Sequence, residues 1–181
     1  MPQPLIIVDV QVGFINDFTH HIPKRVARLI QRDNYEPILF TRFINAIDGP
    51  YQRFLNWHSC DREPEINIVS ELEPWVKPDR VFSKRGLCGM PDELASYLHE
   101  ERIERVFLVG IDTDMCVLKL AMDFFDMGIE PIVLTDCCAS TAGLQAHLAG
   151  LAVLSRNIGA NRLYDAGLSD GLLAAPAKES L

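Results

Sequence analysis

The chain is poor in several features that would have fixed a function class early. No apolar run approaches the ~18 residues that a membrane-spanning helix requires, so no membrane is expected as a partner. No Gly-x-Gly-x-x-Gly follows an apolar run, and neither a P-loop nor a Gly-x-Ser-x-Gly is present. That argues against nucleotide cofactors and serine hydrolysis. Basic residues are outnumbered, with 17 Lys+Arg against 25 Asp+Glu and a net charge of −8. Nucleic acid is therefore not expected as a partner either. The five cysteines show no paired zinc-type spacing, their number is odd, and the adjacent Cys137-Cys138 are poorly placed to bridge each other. A reduced set of thiols is expected. The opening Met-Pro-Gln-Pro has neither a basic stretch nor a cleavage-site pattern. A cytoplasmic location is the expectation. Internal repeats and low-complexity segments are also missing.

What remains is ordinary material for one α/β domain. A length of 181 residues with 48% hydrophobic and 23% charged residues suits a single domain over 1–181. The last stretch, 174–181, reads as a flexible tail. Apolar runs alternate with helical patterns. Strands are expected at Leu5–Val10, Pro37–Thr41, Val81–Ser83, Arg105–Gly110 and Pro131–Thr135, with a sixth at Arg162–Tyr164. Helices are expected after Pro23, around Asn67–Trp75, from Pro91, over Asp114–Met127, and from Ser140 or Thr141 to Arg156. Strands with few polar residues, separated by helices, predict a parallel sheet covered on both faces. The 114–127 segment is apolar nearly all round, which points to a mostly buried helix and to a homo-oligomer, a dimer or tetramer.

The chemistry-bearing residues fall at strand ends. Asp9, Thr41-Arg42, Ser83-Lys84, Ile111-Asp112 and Asp136 all follow apolar runs. In open α/β sheets the ligand crevice lies outside the C-terminal ends of the strands. Cys116 sits where a strand gives way to a helix, and a helix N-terminus favours a thiolate. Asp9 interrupts an otherwise apolar strand, which is costly unless the carboxylate is paired or used. Lys84 is a cation able to hold that carboxylate and the sulfur together. Cys116 as nucleophile, Asp9 as proton acceptor and Lys84 as fixed charge form one reaction set. Phe14 and Trp57 are candidates for an aromatic pocket wall, and Arg42 for binding a substrate carboxylate. A cysteine in an apolar helix is by default a small core hydrophobe, and that reading holds for Cys60, Cys88, Cys137 and Cys138. His147 offers a competing papain-like partner for Cys116, without a supporting motif.

Three motifs together carry a resemblance: Asp9-Val-Gln11-Val-Gly-Phe14, Val81-Phe-Ser-Lys84, and Gly110-Ile-Asp-Thr-Asp-Met-Cys116-Val117. With Gly128 to Ser140 they span most of the chain. The sequence resembles the isochorismatase-like cysteine hydrolases. The resemblance implies a three-layer Rossmann-like fold with a six-stranded parallel sheet and an Asp9-Lys84-Cys116 triad. It also implies a cis peptide at Ile111–Asp112 and an oxyanion hole formed by the Asp112 and Cys116 backbone N–H groups. The implied reaction is hydrolysis of a small carboxamide or ureide-like molecule through a thioester.

The departures narrow this. The nicotinamidase branch carries an Asp-x-His metal motif after the second strand. Here Thr41-Arg-Phe-Ile-Asn45 has no histidine, so no metal or cofactor is expected and nicotinamide is disfavoured. The isochorismate-cleaving branch typically lacks the cysteine. The segment Arg85-Gly-Leu-Cys88-Gly-Met90 after Lys84 differs from the family's usual one. Asp112 stands where a small apolar residue is more usual, and its carboxylate is expected to favour a positive or hydrogen-donating substrate group. A silent small-molecule-binding or regulatory module on the same fold is the competing reading, and a Cys116–Cys88 redox sensor a third.

Overall fold

A computed structural model describes residues 3–86 and 89–168. Six strands form one sheet: β1 (Leu5–Val8), β2 (Ile38–Phe43), β3 (Val81–Lys84), β4 (Arg105–Ile111), β5 (Glu130–Ala139) and β6 (Leu163–Tyr164). Their order is β3-β2-β1-β4-β5-β6 and every pairing is parallel. The order reverses between β1 and β4, which places the crevice of an open α/β sheet at their C-terminal ends.

Period-two alternation in the strands divides the core into two layers. Ile6, Val8, Leu39 and Leu108 face α3 (Asp92–Glu100), α4 (Leu118–Asp126) and α5 (Leu144–Ile158) through Leu94, Leu98, Leu120, Phe124 and Leu154. Leu5, Ile7, Phe40 and Val109 face α1 (Ile22–Arg32) through Val26 and Leu29, with Leu72 beside them. This is the expected three-layer α/β/α arrangement. At each central strand both faces are covered, which is why the strands read as continuous apolar runs.

Gly110 makes the centre of the sheet possible. Its φ is +128°, and a Cβ there would lie 2.1 Å from the Val8 carbonyl oxygen. No other residue allows β4 to run so close to the end of β1.

Several local expectations are corrected. The segment expected to be helical over 67–75 forms only a 3-10 turn, Ser70–Trp75, with Pro74 inside it. The helix carrying Cys116 begins with a wide π-type turn, Thr113–Val117, before α4. α5 starts at Leu144 rather than at a Ser140 or Thr141 cap, because the Thr141 N–H and hydroxyl are engaged by Asp112. Strand β2 runs on to Phe43 and β5 to Ala139. A short helix, α2 (Pro50–Leu55), lies in the stretch that shows no clear pattern in sequence. Helix α4 is not buried all round. Leu120, Ala121 and Phe124 meet the core, while Phe125 and the adjoining Met127 are exposed. Among the described residues no helix is long and apolar enough to cross a membrane. The predicted tail 174–181 and Cys88 lie outside the described residues.

Candidate active site

The C-terminal ends of β1, β3 and β4 converge on one buried cluster. Asp9 follows β1 directly and is fully buried, with a left-handed backbone (φ 50°). That conformation is unusual for a non-glycine residue and clusters at functional sites. Lys84 closes β3, two strands away. Its Nζ lies 2.7 Å from Asp9 Oδ2, with side-chain exposures of 2% and 0%. Among the described residues neither atom meets the geometry of a directed hydrogen bond, and the contact is a close ion pair. The Lys84 ammonium also sits 5.7 Å from the centre of the Phe43 ring.

Asp9 is held from its other side. Thr41 Oγ1 donates to Asp9 Oδ1 at 2.7 Å, and the Asp9 N–H donates to Thr41 Oγ1 at 3.2 Å. Parallel register explains this pairing, since Val8 is opposite Thr41. Gln11 clamps the neighbouring backbone. It donates to the Phe43 and Ile66 carbonyls and accepts from the Phe43 N–H. Neither role was legible in sequence beyond the place of Thr41 at a strand end.

Cys116 is 8% exposed and lies in the first turn after β4, in electrostatic contact with both Asp9 and Lys84. Burial pushes its thiol up, the Asp9 charge pushes the same way, and Lys84 opposes both without prevailing. The resting sulfur is therefore a thiol. That differs from the thiolate expected at a helix N-terminus, because desolvation of a buried anion outweighs one turn of helix dipole. For Lys84, burial disfavours the ammonium while the Asp9 carboxylate favours it, and the balance lies above the ordinary lysine value.

The peptide Ile111–Asp112 is cis, as the resemblance implied. The Asp112 carboxylate faces Thr141, accepting from its N–H at 2.6 Å and its hydroxyl at 2.8 Å. Burial pushes Asp112 up to about 6, against the lowering effect of these bonds. Asn16 Nδ2 donates to the Thr141 carbonyl at 2.9 Å, tying the loop after β1 to the loop after β5.

Above Cys116 opens a cavity of about 360 Å³, lined by residues including Phe14, Phe43, Tyr51, Trp57, Asp112 and Cys116. This volume is in the range of small-molecule sites. Phe14 and Trp57 are where the sequence placed them. They stack at 6.1 Å between centroids. Phe43 and Tyr51 complete the wall and were missed, because Tyr51 sits on the unpatterned α2 segment. Arg42 is a correction. It lies between Thr41 and Phe43 on β2, so its side chain leaves the opposite face of the sheet. There its guanidinium donates to Ser83 Oγ at 3.0 and 3.2 Å, away from the cavity lining. His147 does not supply a papain-like partner. Its Nδ1 is 2.7 Å from Thr113 Oγ1, and burial lowers its pKa. Cys60, Cys137 and Cys138 are buried free thiols. The stretch directly after β2, Ile44-Asn-Ala-Ile-Asp-Gly49, contains no histidine, and among the described residues no three His, Cys, Asp or Glu side chains converge as a metal set.

Known proteins share this architecture. An N-carbamoylsarcosine amidase from Thermoplasma acidophilum superposes with a TM-score of 0.73 at 21% identity, over 91% of this chain and 96% of that one. The pyrazinamidase/nicotinamidase of Streptococcus mutans superposes at 0.74 with 23% identity, over 90% and 99%. In sequence, isochorismatase family protein 2A of Dictyostelium discoideum is 25% identical over 142 residues, 75% of this chain and 66% of that protein. This chain thus matches just under two thirds of that relative's length. The Isochorismatase domain profile matches residues 3–161, nearly the whole of the described fold, and the chain belongs to that family.

Proposed function

We propose that this chain is a metal-independent cysteine hydrolase that cleaves the C–N amide bond of a small carboxamide or ureide-like molecule. The observation that carries this reading is the Asp9–Lys84 ion pair at 2.7 Å, sealed from solvent and in electrostatic contact with Cys116 beneath a small-molecule cavity. A buried ion pair contributes little to stability, because desolvation cancels much of its attraction. Its placement beside a cysteine at the topological switch point is better accounted for by chemistry. Amidases with the same fold support the reaction class.

The steps follow from the resting proton positions. Cys116 Sγ attacks the substrate carbonyl carbon as the Asp9 carboxylate takes the thiol proton. Transferring the proton during attack avoids a free buried thiolate. The carbonyl oxygen becomes an oxyanion, assigned to the backbone N–H groups of Asp112 and Cys116. One such donor is typically worth about 3–4 kcal/mol. The C–N bond then breaks, the nitrogen takes the proton from Asp9, and ammonia or an amine leaves a thioester on Cys116. Water, deprotonated by Asp9, attacks the thioester and releases the carboxylic acid and the thiol. Lys84 stays protonated throughout and keeps Asp9 aimed at the sulfur. Thr41 is a positioning residue for the same carboxylate.

The experiment is ammonia release from a panel of small amides, with Cys116→Ala and Cys116→Ser beside the wild type. Turnover abolished in both variants is expected. Full activity in Cys116→Ala would end the cysteine mechanism. Tight ligand binding with no product over long incubation of the wild type would establish the silent binding module instead.

A further inference from the structure

Asp112 is a buried carboxylate with no counter-charge among the described residues. It is 7% exposed, and among the described residues both of its oxygens are bonded only to Thr141, a neutral residue. Among the described residues no lysine, arginine or histidine lines the cavity. Lys84, below it, is committed to Asp9. Buried carboxylates are ordinarily paired with a cation, because an isolated one is costly to desolvate. Each carboxylate oxygen has two acceptor positions, and Thr141 fills one on each. The remaining acceptor capacity belongs to a residue that lines the cavity.

The rest of the wall has the complementary property. Phe14, Phe43, Tyr51 and Trp57 form one continuous aromatic surface, with neighbouring ring centroids 5.2 to 6.1 Å apart. Aromatic faces attract cations and have no hydrogen bond to offer an anion, apart from the tyrosine hydroxyl and indole N–H edges. Arg42, the side chain that the sequence offered for a substrate carboxylate, is turned away onto Ser83.

We propose that the cavity selects a carboxamide whose far end is a cation, a quaternary or protonated amine held between the Asp112 carboxylate and the Phe14–Phe43–Tyr51–Trp57 wall, and that it rejects an anionic end. This rests on the hydrolase reading only in placing the amide at Cys116. The cation contacts themselves need no turnover. Rejection is built in as well, since a substrate carboxylate would meet Asp112 at close range with little water between them.

The test is isothermal titration calorimetry on full-length Cys116→Ala protein at pH 8, where Asp112 is ionised. Three carboxamides of similar size serve as probes. They are trimethylammonioacetamide, its uncharged isostere 3,3-dimethylbutanamide, and succinamate as the anion. The cation is expected to bind about tenfold tighter than its isostere or better, in line with a desolvated cation–π contact plus one carboxylate, and succinamate weakest of the three. In Asp112→Asn the cation's advantage over the isostere, both measured in that variant, is expected to shrink about fivefold. Should the loop fail in that variant, Trp57→Leu keeps an apolar wall and is expected to reduce the same advantage. Equal binding of cation and isostere, tightest binding of succinamate, or no binding by any of the three would overturn the proposal. The hydrolase reading fails separately. A wild type that binds the cation but frees ammonia from no amide keeps the selectivity and loses the enzyme. Turnover of neutral amides without preference does the reverse.

Discussion

Replacing Lys84 by methionine isolates the energetics of the buried cluster. Methionine roughly preserves the stem of the side chain and removes the charge. Asp9 then keeps its bond from Thr41 Oγ1 at 2.7 Å, but its other oxygen loses the cation it pairs with, in a site with 0% exposure. Removing one member of a buried ion pair typically costs about 3–5 kcal/mol, because the survivor is left uncompensated. Against a total stability of about 5–15 kcal/mol, that is a large fraction. With a urea slope of about 2 kcal/mol/M, the unfolding midpoint is expected to fall by about 1.5–2.5 M. The double variant Asp9→Asn/Lys84→Met removes both charges and is expected to recover most of the loss, since a neutral, bonded pair carries no uncompensated ion. Both proteins are expected to be inactive, so stability and activity separate. The assay is equilibrium urea unfolding followed by tryptophan fluorescence and circular dichroism, with coincident transitions as the check on two-state behaviour. A single variant that unfolds with the wild type, or a double variant less stable than the single, would refute the argument that the pair is buried and mutually dependent.

Three further outcomes follow from particular contacts. Because burial and Asp9 raise the Cys116 thiol, with the thiolate appearing only at high pH, alkylation of Cys116 by iodoacetamide, read by mass spectrometry, should be slow at pH 7 and still rising at pH 9; a plateau between pH 6 and 8 would contradict a resting thiol. Gly150 of α5 packs on the turn that carries Cys116, where a Cβ would lie 2.8 Å from Asp114 Cα and N; Gly150→Ala should cost about 1–3 kcal/mol and lower Tm by several degrees in a thermal melt, whereas an unchanged Tm would mean that the turn yields freely. Phe125, Met127, Leu144 and Leu148 expose large apolar side chains on and beside α4 and α5; a dimer or tetramer is the expected result of light scattering, and a clean monomer at micromolar concentration would remove the oligomer.

The amino-acid sequence by itself determined the layered α/β fold and the three residues of the buried cluster. Strand interiors covered on both faces must be continuously apolar, so Asp9, Lys84 and Cys116 stood out as polar or reactive groups at strand ends. Local motifs around each added the family. These are short-range signals, carried by hydrophobic period and by residue type at a chain reversal. The tertiary structure decided what depends on contacts between distant segments. Register between β1 and β2 brought Thr41 onto Asp9 and, through the pleat, sent Arg42 to the other face. The α2 segment has no legible period, yet it delivers Tyr51 to the wall shared with Phe14 and Trp57. Thr141, which reads as a helix cap, was recruited by Asp112 from 29 residues away. The protonation state of Cys116 lies furthest from the sequence. A helix terminus can be read locally, but the desolvation that outweighs it exists only when three strand ends close over the sulfur.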